Sequence, residues 1–67
     1  MDIKYRRFVI GTKERPTMFL MKSGEVTENV ECAELFEAIE DAKSEIQKCD
    51  EPEVFKLYDV EISVQGL

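Results

Sequence analysis

The sequence predicts an α+β fold, a small β-β-α-β domain in which one acidic amphipathic helix covers one face of an antiparallel sheet. Three observations predict it. Two stretches near the start, IKYRRFVI (residues 3–10) and TMFLMK (17–22), are short, apolar and rich in strand-forming types. A long stretch, ECAELFEAIEDAKSEIQKCD (31–50), repeats apolar residues at helical spacing. A last stretch, FKLYDVEISV (55–64), alternates apolar with polar residues.

The first strand ends in GTKERP (11–16), a polar loop with Gly and Pro at its ends. It leads into 17–22, whose continuous apolarity suits a strand covered on both faces. The two are expected to form an antiparallel hairpin. SGE (23–25) reads as a turn, after which Val26 and Thr27 briefly extend a strand.

Over 31–50 the apolar or small residues Cys32, Leu35, Ile39, Ala42, Ile46 and Cys49 are spaced 3, 4, 3, 4 and 3 apart, the pattern of one helix face. Ala33, Phe36 and Ala38 widen that face. Asn29 or Thr27 is placed to cap the start, and Asp50, Glu51 and Pro52 mark the stop. In the last strand Tyr58, Val60, Ile62 and Val64 share a face, whereas Phe55 and Leu57 have the opposite parity. A bulge or twist near Leu57 would reconcile them.

Sixty-seven residues (1–67) make one domain. So short a chain buries only about 60% of its unfolded surface, so disulfides, metals or self-association are the usual supports. There is no His and no CxxC, which argues against zinc. On a continuous helix Cys32 and Cys49 would lie roughly 25 Å apart, beyond the reach of a disulfide. Both thiols are therefore expected to be free and buried on the helix face, in the reducing environment of a cytoplasm. No membrane span or signal peptide is apparent.

Self-association remains. Met18 and Leu20 alternate with Phe19 and Met21, and one helix covers only one sheet face. The other face would be an exposed apolar patch, so a homodimer through Phe19 and Met21 is the expectation. The alternative is that loop 11–16 and the C-terminal residues fold over it.

The net charge of −6 is unevenly distributed: residues 1–22 carry +4, and residues 23–67 carry −10. On the expected helix Glu34, Glu37, Asp41 and Glu45 line the solvent face, flanked by Glu31 and Glu40, with only Lys43 and Lys48 intervening. Glu37–Asp41 and Asp41–Glu45 are like-charge neighbours that cost a helix a few tenths of a kcal/mol each, so local stability does not explain the stripe. One reading is a solvated face that keeps the chain in solution. The other is imitation of a nucleic-acid backbone. Helical carboxylates about 5–6 Å apart supply a third of the density of duplex DNA, one charge per about 1.7 Å. Two helices of a dimer, joined by Asp50, Glu51, Glu53, Asp59 and Glu61, would come closer.

Ala33-x-x-Phe36, then Asp41-Ala42 and Ile46, then the closing KLYDVEI (56–62) resemble small β-β-α-β accessory proteins encoded by bacteriophages. Some acidic members inhibit host DNA-binding proteins or defence nucleases by mimicking DNA. The resemblance implies a host-takeover or anti-defence inhibitor acting in the host cytoplasm, with a basic nucleic-acid-binding protein as partner and Glu31, Glu34, Glu37, Glu40, Asp41 and Glu45 as contacts. It implies no catalytic residue, cofactor or metal.

Other classes fit less well. Without His, P-loop, GxGxxG or GxSxG, catalysis lacks its usual groups. Tyr5-Arg6-Arg7-Phe8 interleaves basic and aromatic residues as RNA-binding sheets do, but the net charge repels polyanions, and Arg6 and Arg7 face an acidic last strand with which they can pair. DEPE (50–53) lacks the Gly-bearing loop of a calcium site.

Overall fold

The computed structural model describes residues 2–66. Its two longest elements, β1 (Asp2–Thr12) and β4 (Phe55–Gln65), pair with each other. Eleven residue pairs run antiparallel in one unbroken register, from Asp2 opposite Gln65 to Thr12 opposite Phe55. The expected bulge near Leu57 is absent. Phe55 and Leu57 pack into the core on one face, and Tyr58 meets Phe19 on the other. Both parities are apolar because both faces are used, so no irregularity is needed.

Strands β2 (Phe19–Leu20) and β3 (Val26–Thr27) extend the sheet on the other side of β1, giving the order β3-β2-β1-β4 with every pair antiparallel. The α+β architecture read from the sequence is therefore present, with the brief third strand making four in all. The first two strands do pair, but only through Gly11 and Phe19, and the main partner of β1 is the last strand. The turn at 23–25 forms around Gly24, whose φ of 93° suits Gly best.

The helix is much shorter than the periodicity predicts. A 3₁₀ turn (Val30–Cys32) comes first, and the Asn29 side chain accepts from the Glu31 amide there. The chain then extends through 33–38, and α1 spans only Ile39–Gln47. The cause lies in β1. Beyond β2 the edge of β1 would be bare, and Phe36 fills it: the amide of each of Phe8 and Phe36 donates to the other's carbonyl at 2.9 Å. A backbone pair and a buried aromatic ring outweigh a helix propensity worth a few tenths of a kcal/mol per residue. Asn29 thus caps the 3₁₀ turn, and the N-cap of α1 is Ala38, which has no capping side chain. The stop at Asp50, Glu51 and Pro52 holds, with Pro52 opening a second 3₁₀ turn (Pro52–Val54).

The core consists of Ile10, Phe36, Ala42 and Ile46, against which Phe8, Leu20, Phe55 and Leu57 pack. Val9 points to the opposite face from Ile10 and is also fully buried. On that second face Gly11 allows a close approach: a Cβ there would stand 2.8 Å from Tyr58 Cε2 and 3.1 Å from Phe19 Cδ1. The Tyr58 hydroxyl donates to the Thr12 carbonyl at 2.7 Å, and its ring meets Phe19 edge-on at 5.8 Å.

The molecule is elongated, 43 × 24 × 20 Å. Its radius of gyration, 12.7 Å, exceeds the value of about 11 Å for a compact chain of this length. Residues 2–7 and 60–65 account for this. They form an arm of two strands, about 20 Å long at 3.4 Å per residue, lying beyond the part of β1 that β2 and Phe36 flank.

Candidate interaction surfaces

Two surfaces stand out, one acidic and one apolar. The acidic one comes from residues 25–53, which hold eleven carboxylates and two lysines, a net −9. These residues form β3, the 3₁₀ turns, the extended segment and α1. The six predicted contact residues divide among them: Glu31 in the first 3₁₀ turn, Glu34 and Glu37 in the extended segment, and Glu40, Asp41 and Glu45 on α1. They do not form the single stripe that a continuous helix would give. Glu37 lies 3.4 Å from Arg7, and Glu45 lies 3.1 Å from Lys48. Among the described residues Glu31, Glu34, Glu40 and Asp41 make no ion pair within 4.0 Å. Glu34 is half-buried and the other three are exposed. Glu40 and Asp41 sit in the first turn of α1, where the helix dipole favours negative charge. Asp59 and Glu61, expected to continue the acidic surface, instead pair with Arg6 at 2.7 and 3.8 Å on the arm.

The cysteines correct a second expectation. Both are free, but Cys32 is exposed and Cys49 half-buried, its thiol 3.5 Å from the Glu45 carbonyl. Neither lies on a buried helix face, because neither lies on the helix. Ala33 and Phe36, at the flank of the apolar stripe, are buried, while Leu35 and Ile39 from its centre are exposed. Once 33–38 is extended, helical spacing no longer says which side chains point inward.

The apolar surface is one face of the arm. Antiparallel pairing places Ile3, Tyr5, Val60, Ile62 and Val64 together on it. Ile3 is 53% and Val64 47% exposed. Val30 and Leu35 join Val60 and Ile62 around an open groove of about 280 Å³. The opposite face carries Lys4, Arg6, Asp59, Glu61 and Ser63, with Arg6 bridging both acids. Arg7 lies 4.6 Å over the Tyr5 ring, and its Nη1 donates to the Arg6 carbonyl at 2.8 Å. Arg6 and Arg7 are thus both engaged within the chain. Phe19 and Met21, the predicted dimer contacts, are half-buried, and Phe19 has Tyr58 as an internal partner.

An open hollow of about 380 Å³ lies between loop 13–18 and the second 3₁₀ turn, where Lys13 and Arg15 alternate with Glu14 and Glu53. Its charges balance, and among the described residues no polar side chain is buried. No three Cys, Asp or Glu among the described residues converge as a metal cage. Among the described residues no helix is long and apolar enough to cross a membrane. Comparison with protein-family models, with curated proteins and with solved structures finds no match to this chain.

Proposed function

We propose that this chain is a non-catalytic binding module that presents its acidic surface to a basic nucleic-acid-binding protein and competes with that protein's nucleic acid. The observation that supports the reading is the separation of charge. Residues 25–53 carry −9, the remainder carries +3, and four of the six candidate carboxylates have no cationic partner among the described residues. Unpaired carboxylates cost a small domain self-repulsion, and a cationic partner would relieve it. The phage resemblance points to a host protein in the host cytoplasm as the target. The irregular spacing of the acids favours charge density over a phosphate-by-phosphate copy of DNA.

The test is a competition assay. A basic DNA-binding protein is bound to labelled duplex, and this chain is titrated in, as the parent and as the variant Glu31→Gln, Glu34→Gln, Glu40→Gln, Asp41→Gln. The parent should displace the duplex, increasingly weakly as salt rises, because exposed charges are screened beyond about 10 Å at 0.1 M. The variant should not displace it. Equal displacement by both, or a ternary complex with DNA, would leave the acids as a solvated face.

A further inference from the structure

The arm carries a second feature that the acidic surface does not explain. Two-stranded ribbons are marginal in water, and three or more strands are the usual minimum. This ribbon also exposes an apolar face and two open edges. The edge on the β1 side is short, residues 2–7, and guarded. Arg7, tethered by Glu37, occupies the Arg6 carbonyl, and Lys4 and Arg6 would repel a second copy of the same edge. The β4 edge is eleven residues long and ends the sheet. The amides of Phe8 and Thr12 point away from β4. By alternation, Leu57, Asp59, Glu61 and Ser63 then turn their amides and carbonyls outward from the sheet.

We infer that a second copy of this chain docks on the β4 edge, antiparallel and two-fold, with Ile62 opposite Ile62, to form one continuous eight-stranded sheet. Charge selects this partner. Counting Asp59 at its base, the arm holds three acids (Asp2, Asp59, Glu61) and three bases (Lys4, Arg6, Arg7), so the whole −6 lies on the rest of the molecule. Two-fold antiparallel pairing brings the neutral arms together and sends the charged bodies to opposite ends. Charge and length of overlap together select the register: an axis at Ser63 would pair only residues 61–65 of the strand, against 59–65 with Ile62 on the axis. With Ile62 on the axis, Glu61 faces Ser63, Asp59 faces Gln65 and Val60 faces Val64 of the other copy. Moving the axis to Glu61 or to Val60 sets Glu61 against itself or against Asp59. The apolar faces of the two arms merge beside the groove walled by Val60 and Ile62. The assembly is closed, because each copy uses the same edge. It carries one acidic surface at each end, so its existence does not depend on what those surfaces bind.

Two measurements test this. In a Cys32→Ser, Cys49→Ser background, Ile62→Cys places thiols on the axis in a non-hydrogen-bonded pair, whose Cα separation of about 4.5 Å suits a disulfide. It should cross-link into dimers on mild oxidation, and Val60→Cys alone should not. Separately, Ser63→Pro removes an outward amide without touching the β1 pairing, a placement Pro tolerates on an edge. Sedimentation at about 100 μM should show the parent as a dimer, with Ser63→Pro weakening association by about tenfold or more and leaving the circular dichroism unchanged. Ser63→Arg, which would face Glu61 twice across the axis, should tighten it. A monomeric parent, cross-linking through Val60→Cys or Phe19→Cys in place of Ile62→Cys, or a Ser63→Pro variant that dimerises like the parent would overturn the inference.

Discussion

The inner and outer halves of the β1–β4 ribbon differ in everything except their hydrogen bonding. Both follow one register without a break. The inner half, residues 8–12 with 55–59, has α1 and Phe36 over one face and Phe19 against Tyr58 on the other, and it contains both fully buried large side chains, Val9 and Ile10. The outer half has the same ladder, but Ile3 and Val64 remain about half exposed. Cross-strand bonds are worth little net when water competes for the same groups. What separates the two halves is apolar area removed from water.

Amide exchange offers the widest test of this difference. At dilutions where the chain is monomeric, Val9 and Gly11 should exchange only through global unfolding, while Ile3 and Tyr5 should exchange through local opening. The gap should approach the whole stability of the domain, about 3–5 kcal/mol at this size. Uniform protection along β1 would mean that the arm is covered, and the concentration dependence of that protection would report self-association. Next in size is Phe36→Ala. It empties the core and removes the ring that holds the extended segment on β1, at about 3–5 kcal/mol, so chemical denaturation should find the variant largely unfolded. Gly11→Ala forces Tyr58 and Phe19 to give way and should cost about 1–3 kcal/mol, read as a lowered midpoint of urea unfolding. If Gly11→Ala is neutral, the second face is looser than the ring contacts imply. On the arm, Arg6→Ala breaks exposed ion pairs and should cost less than about 1 kcal/mol. Smallest is the quadruple Gln variant of Glu31, Glu34, Glu40 and Asp41. Its stability should stay within about 0.5 kcal/mol of the parent while its competition with DNA is lost.

The candidate surfaces were legible in unequal measure. The charge imbalance is visible in composition, because it depends only on where acidic residues fall in the chain. The grouping of those acids into a stripe was not recoverable, because it assumed helix from 31 to 38. A continuous 3–4 spacing from Cys32 to Cys49 makes that assumption natural. The one hint against it is Phe36, too large an apolar residue for the flank of a stripe. The sequence also predicts an uncovered sheet face, at Phe19 and Met21 on the second strand. Gly11, by admitting the Tyr58 ring, partly covers that strand, and the bare face moves to the arm. Phe8, Val9 and Ile10 form a continuous apolar run, the pattern of a strand covered on both faces, whereas residues 2–7 and 60–65 alternate apolar with polar types, so this difference between the halves was partly legible.

Local pattern alone determined the strand at each end of the chain, the turn at Gly24, the stop before Pro52 and the α+β class, because each depends on neighbours within a few residues. The boundary of the helix and the partner of β1 were decided in three dimensions. Phe8 has a backbone amide and carbonyl that must be satisfied, and only the folded sheet sets Phe36 within reach of them. That single pairing, between residues 28 positions apart, turned half of an apparent helix into an edge segment. Beyond it nothing further among the described residues pairs with β1 on that side, which leaves the arm with the two strands that started it.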